Sequence, residues 1–325
     1  MKIAILDDWF DTLKKLPSFE KLNEHHVTVF NDHVKDINIL AERLADIDAL
    51  VLFRERTQIA AQLLDKLPNL KLISQRSVYP HVDVDACTKN NVLLCSNMHA
   101  GTPSFATVEH VWALILASYR QIPQQVASLK NGEWQMGVGR TLQGRTLGLY
   151  GYGRIAKGVE HIAQAFGMNV IWWGSQNGQQ RLKDDGKNIA SSREDFFARP
   201  DIISVHVRMK PETKGIITAD DFSSMRDDAV FINTSRAGLI EPNALLEALS
   251  KGHPGTAAID VLDKEPITWK DDPLASHPSV IATPHIGFVT EDEYELQFSD
   301  IYDQIVAYAK GAPINMINPE VYQND

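Results

Sequence analysis

Three short stretches place polar side chains or glycines directly after apolar runs, where they could do chemistry. In "IATPHIGF" (281–288), His285 follows Val280-Ile281-Ala282 in a turn that Pro284 stiffens and Gly287 opens. An imidazole there either closes a strand as a satisfied polar group or carries a proton into a cleft, since its ordinary pKa of about 6.5 keeps both forms accessible near neutrality. In "NTSRAG" (233–238), Arg236 comes just past the apolar run "AVFIN". A guanidinium at that point either grips a carboxylate through paired hydrogen bonds and polarises a neighbouring carbonyl, or forms a structural ion pair. In "LGLYGYGRIA" (147–156), Gly151, Gly153 and Ala156 form a G-x-G-x-x-A pattern. Gly151 permits the tight turn and Gly153 lets a pyrophosphate approach the backbone. Small Ala156 lets helix and strand pack closely, the free N–H groups at the helix start, that of Ile155 among them, hold the phosphates, and Arg154 either adds charge to a phosphate or is an exposed helix-start arginine.

These residues need a scaffold that brings several strand ends to one edge. Short apolar, β-rich runs alternate with helical patterns almost throughout: 2–7, 26–30, 48–53, 70–75 and 91–96, then 146–151, 169–174, 202–207, 229–234, 257–261 and 279–284. Runs that are apolar throughout suit strands covered on both faces, and helical crossovers force parallel pairing. The expected class is therefore α/β, doubly wound. A long helix is expected over 104–129, capped by Thr102-Pro103-Ser104 and stopped by Asn131-Gly132, with a last helix over 291–310. Asp7-Asp8 read as an N-cap pair rather than a phospho-receiver's acidic pair, because later strand ends supply no matching aspartate and lysine.

At 325 residues the chain exceeds what one core usually organises, so two domains are expected. A formal net charge of -10 argues against non-specific binding to nucleic acid or to an anionic membrane. With no basic-apolar leader and no apolar run of bilayer length, the expected location is cytoplasmic. Cys87 and Cys95 are too few for a disulfide framework, and no Cys/His spacing suggests a metal site.

Taken together, "GLYGYGRIA", "DIISVHVRMKPETKGII", "AVFINTSRAGLIE", "AAIDVLDKEP" and "IATPHIGF" resemble the D-isomer-specific 2-hydroxyacid dehydrogenase family, over essentially all of residues 100–310. The resemblance implies a Rossmann cofactor domain (100–289) inserted into a flavodoxin-like substrate domain made from both chain ends (1–99 and 290–325). It implies NAD(P)-linked interconversion of a small 2-oxo acid and its D-2-hydroxy acid. Arg236 then anchors the substrate, His285 is the proton donor that also contacts substrate, and Glu265 in "DKEP" holds the imidazole. Asp260 matches the acceptor for the nicotinamide carboxamide, and Thr107 and Thr234 match cofactor-lining positions. Ser77 and Val78 match the loop whose N–H groups take the substrate carboxylate. A homodimer is implied through the helix that carries "FATVEHVWALILASY". The same family includes dinucleotide-sensing corepressors, which keeps an interaction protein as the alternative.

Some positions depart from the family pattern. The strand "NVIWW" ends in Gly174-Ser175 where NAD enzymes carry an acid that accepts the ribose hydroxyls. Losing that charge admits NADP, and the reading leans slightly that way. The substrate loop is bulkier, "SVYPH", and Phe288 replaces a small residue after Gly287, which reshapes the pocket mouth.

Overall fold

The computed structural model describes residues 1–98 and 105–322, apart from the side chain of Trp269. The Thr102-Pro103-Ser104 cap lies outside the described residues. The chain divides into two compact units, Met1–Pro103 with Val289–Asp325, and Ser104–Phe288.

The first unit holds strands β1 (Lys2–Ile5), β2 (His26–Val29), β3 (Ala49–Val51), β4 (Leu72–Arg76) and β5 (Leu93–Asn97). They form one parallel sheet in the order β2-β1-β3-β4-β5, the flavodoxin-like order. β3 is buried at every position, as its uniformly apolar run requires, whereas β2 at the edge alternates between exposed and half-buried. The Glu291–Ala309 helix packs back against β4 and β5. Its Gln304 Nε2 donates to Ser74 Oγ (2.8 Å) and to the Gln75 carbonyl (3.0 Å). Asp7 and Asp8 divide their roles: Asp8 accepts from the N–H groups of Thr12 and Leu13, as a cap does, whereas Asp7 accepts from Thr57 Oγ1 and contacts His33 Nδ1.

The second unit holds β6 (Thr146–Tyr150), β7 (Asn169–Trp173), β8 (Ile202–Val205), β9 (Val230–Asn233), β10 (Thr256–Ile259) and β11 (Val280–Ala282). All pair in parallel, in the order β11-β10-β9-β8-β6-β7. Leu147, Leu149 and Ile232 face one side with the Ala106–Arg120 and Arg154–Ala165 helices, while Tyr150, Ile203 and Phe231 face the other. Both faces are covered, so the fold is doubly wound. The strand order reverses between β6 and β8, which puts the ligand crevice of such a sheet at their carboxyl ends.

The single helix expected over 104–129 is two, Ala106–Arg120 and Ile122–Lys130. Gln121 takes a left-handed φ of 54°, and Pro123 lacks the N–H that would continue the ladder. The expected stop is present, with Asn131 as C-cap and Gly132 at φ 83°.

Candidate active site

β9, β10 and β11 are neighbours in register, Ile259 facing Asn233 on one side and Ala282 on the other. The loops that leave their carboxyl ends carry Arg236, Glu265 and His285. The 233–236 turn is tied down from beneath. Buried Asn233 donates from Nδ2 to the Arg236 carbonyl (3.0 Å) and accepts from the Ser235 N–H, and Ser235 Oγ donates to the Val205 carbonyl (2.7 Å). Arg236 is left exposed with an extended backbone, and its Nη1 donates to the Ser235 carbonyl (2.7 Å).

His285 and Glu265 meet directly, Nδ1 to Oε2 at 2.6 Å, with both side chains about one-third exposed. The other carboxylate oxygen of Glu265 accepts from the Leu262 N–H (2.9 Å). Burial pushes the Glu265 carboxyl up, but the hydrogen bond and charge of His285, with the Leu262 N–H, outweigh it and hold the group below the usual glutamate value. The arrangement fixes the ring and leaves Nε2 as its other polar atom. Phe288 stands edge-on to the imidazole, ring centroids 5.7 Å apart.

The turn that carries His285 hangs on Asp260, which is 1% exposed. Its Oδ1 accepts from Thr283 Oγ1 (2.5 Å) and the Ile286 N–H (2.9 Å), and its Oδ2 from the Gly287 N–H (2.8 Å). Asp260 thus holds the two peptides after His285, whose φ is 56°. Burial raises the Asp260 carboxyl, and His110, Thr283 and the Ile286 N–H together bring it below its ordinary value. His110 was not among the residues the sequence pointed to. It sits on the Ala106–Arg120 helix with Nε2 3.0 Å from Thr283 Oγ1 and 3.2 Å from Asp260 Oδ1. The only sequence signal was a titratable ring inside the apolar run "VEHVWALIL".

At the β6 carboxyl end, Gly151 has φ 106°, and a Cβ there would lie 2.4 Å from the His206 carbonyl oxygen. Gly153 is the N-cap of the Arg154–Ala165 helix, with nothing within 4 Å of where its Cβ would be. An open backbone at a helix start is the kind of place where a pyrophosphate can approach the chain. Tyr152 turns away from it, its ring edge-on to Trp172 and its hydroxyl donating to Asp185. His206 at the end of β8 is kept neutral, its pKa lowered by burial to about 4, with Nε2 3.0 Å from Ser204 Oγ.

Gly174 and Ser175 close β7, and Ser175 caps the Gln176–Asp184 helix by accepting from the Gly178 N–H (3.3 Å). Thr234, just past the end of β9, has its Oγ1 buried without a partner among the described residues. Thr107 Cγ2 lies 3.8 Å from where a Cβ added to Gly287 would sit, which places it beside the His285 turn. Ser77 and Val78 lie in the first unit, just past β4, with Ser77 at φ 77°. Among the described residues no cluster of His, Cys, Asp and Glu could hold a metal ion, and no helix is long and apolar enough to cross a membrane.

The family model described as "D-isomer specific 2-hydroxyacid dehydrogenase, NAD binding domain" matches residues 112–287. The D-3-phosphoglycerate dehydrogenase of Bacillus subtilis is 35% identical over 283 residues, 86% of this chain and 53% of its own length, so the chain spans about half of that relative. The glyoxylate reductase of Thermococcus litoralis is 31% identical over 294 residues, 87% of each chain. The crystal structure of a phosphoglycerate oxidoreductase from Vibrio cholerae superposes with a TM-score of 0.90 at 41% identity, covering 96% of this chain and 100% of the other. With the family model matched over more than half of the sequence, and two parallel doubly wound sheets as expected, the chain belongs to the D-isomer-specific 2-hydroxyacid dehydrogenase family.

Proposed function

We propose that the protein is an NAD(P)-dependent oxidoreductase that interconverts a small 2-oxo acid and its D-2-hydroxy acid. The contact that carries the reading is His285 Nδ1 to Glu265 Oε2 at 2.6 Å, on the strand ends next to Arg236. Arg236 binds the substrate carboxylate and polarises the carbonyl oxygen. The nicotinamide cofactor supplies the hydride. His285 gives its Nε2 proton to the oxygen as negative charge develops there, and Glu265 keeps the ring turned for that transfer. Gly151, Gly153, Arg154 and Ile155 hold the phosphates. Thr107, Thr234 and Asp260 line the nicotinamide end, where Asp260 Oδ2 accepts from the Gly287 N–H alone among the described residues and keeps capacity for the carboxamide.

Gly174-Ser175 at the end of β7 put no carboxylate beside the adenosine ribose, which supports NADP. Initial rates with NADPH and NADH over glyoxylate, hydroxypyruvate and pyruvate test both levels. Turnover with at least one acid, faster with NADPH, is expected. No turnover across the panel despite tight dinucleotide binding would replace the enzyme with a sensor of the corepressor kind. A cytoplasmic setting suits Cys87 and Cys95, which are free and buried.

The second unit presents Ile122, Val126 and Leu129 on the Ile122–Lys130 helix and Trp134, Met136 and Val138 just beyond it, all exposed. Trp134 is 76% exposed and Val138 91%, a patch that supports a homodimer. Light scattering should give twice the 36.3 kDa chain mass, falling to one chain in Trp134→Asp. A wild-type monomer at micromolar concentration would end the dimer assignment.

A further inference from the structure

The end of β4 carries a non-glycine residue in a left-handed conformation, Ser77 at φ 77°. Such a backbone is uncommon outside glycine and persists only when its surroundings hold it. Here they do. The Ser77 carbonyl accepts from Gln75 Nε2 (2.9 Å) and from Ser96 Oγ (2.7 Å), and Gln75 Nε2 also donates to Ser96 Oγ (2.8 Å). The Ser77 N–H donates to the Asn97 carbonyl (3.1 Å). Gln75 and Ser96 are register partners on β4 and β5, 1% and 2% exposed, so the three groups form a closed triangle beneath the loop. Gln304 on the Glu291–Ala309 helix anchors that triangle through the Gln75 carbonyl.

A trans peptide sets its carbonyl and the following N–H in opposite directions. With the Ser77 carbonyl drawn inward by two donors, the N–H of Val78 must point outward. Among the described residues that N–H has no acceptor, and Val78 is 40% exposed.

We propose that Gln75 and Ser96 are positioning residues: they clamp the Ser77–Val78 peptide so that the Val78 N–H is presented to the substrate carboxylate. The proposal rests on the 2-oxo acid reductase reading for its ligand. It explains how a loop with Ser and Val in place of the family's glycine-rich version keeps a backbone that glycine would adopt unaided.

Gln75→Met preserves the side chain's length and apolar bulk while deleting its donor, and Ser96→Ala deletes one hydroxyl. With glyoxylate as probe, either change should raise its KM about tenfold while kcat and the cofactor KM stay within about twofold. Adding Ser77→Gly to Gln75→Met should recover most of the KM, since glycine holds positive φ without the clamp. Hydrogen exchange over residues 76–82 should quicken in both single variants, independently of turnover. Unchanged KM, or a fall in kcat without a rise in KM, would overturn the positioning role even if exchange quickens. If the wild type reduces no 2-oxo acid, the reductase reading fails by itself, and unchanged exchange in either variant would still overturn the clamp.

Discussion

Replacing His285 by asparagine should lower kcat for 2-oxo acid reduction by about a thousandfold, roughly 4 kcal/mol of lost transition-state stabilisation. Asparagine tolerates the left-handed backbone that position 285 adopts at φ 56°, so the turn itself should survive. Its amide offers no proton of suitable acidity, so the developing alkoxide would have to take one from water. The cofactor KM should hold within about twofold, because the 151–156 cradle sits on other strands of the sheet. Full activity in the variant would remove His285 from the chemistry. Glu265→Gln tests the partner separately: kcat should fall less, and the pH profile should shift. Since the Glu265 carboxyl lies below its ordinary 4.5, its hold on the ring, and the stability that comes with it, is complete above that pH. Both are lost only as pH falls through the lower, native value. Acid loss of activity that begins well above pH 4.5 must therefore come from another group.

How far this was legible in the sequence differs between the sheets and the site. The strands could be read because parallel sheets covered on both faces demand uninterrupted apolar runs, and β3, β8 and β9 are buried at every position. The break at Gln121 was missed because amphipathic periodicity carries on through Pro123. Only the backbone reversal at residue 121, a tertiary choice, separates the helices. The pairing of Glu265 with His285 could not be seen in spacing, since the residues lie twenty apart on loops of adjacent strands. It was available only through resemblance. Support residues were the least visible. Asp260 stood out as a strand-end acid, but its task of holding the Ile286 and Gly287 N–H groups depends on how that turn folds. Gln75, Ser96 and His110 act through partners that are distant in sequence, and nothing local marks them.

Gly151→Ala should be among the most damaging single substitutions in the second unit, and its contrast with Gly153→Ala separates folding from cofactor binding. At Gly151 the backbone has φ 106°, outside the left-handed pocket that L-residues visit, and an added Cβ would sit 2.4 Å from the His206 carbonyl oxygen and 2.8 Å from its carbonyl carbon. Those atoms belong to the backbone leaving β8, which pairs with β6 from Leu147 to Tyr150, so no side-chain rotation relieves the clash. Strain of this kind costs about 1–3 kcal/mol before the overlap is added. The expected outcome is a melting temperature lower by roughly 5–10 °C and NADPH affinity weakened by about a hundredfold or more, ~2.7 kcal/mol. Gly153 has ordinary backbone angles and empty space at its Cβ position, so alanine there should leave the melting temperature of the free protein unchanged. It should still weaken NADPH, because the methyl group occupies the place where the pyrophosphate would meet the helix start. Melting curves with and without NADPH, together with a titration of its fluorescence, read both effects. Wild-type NADPH affinity in Gly153→Ala would mean that the dinucleotide does not lie across this turn, whatever the glycine pattern suggests.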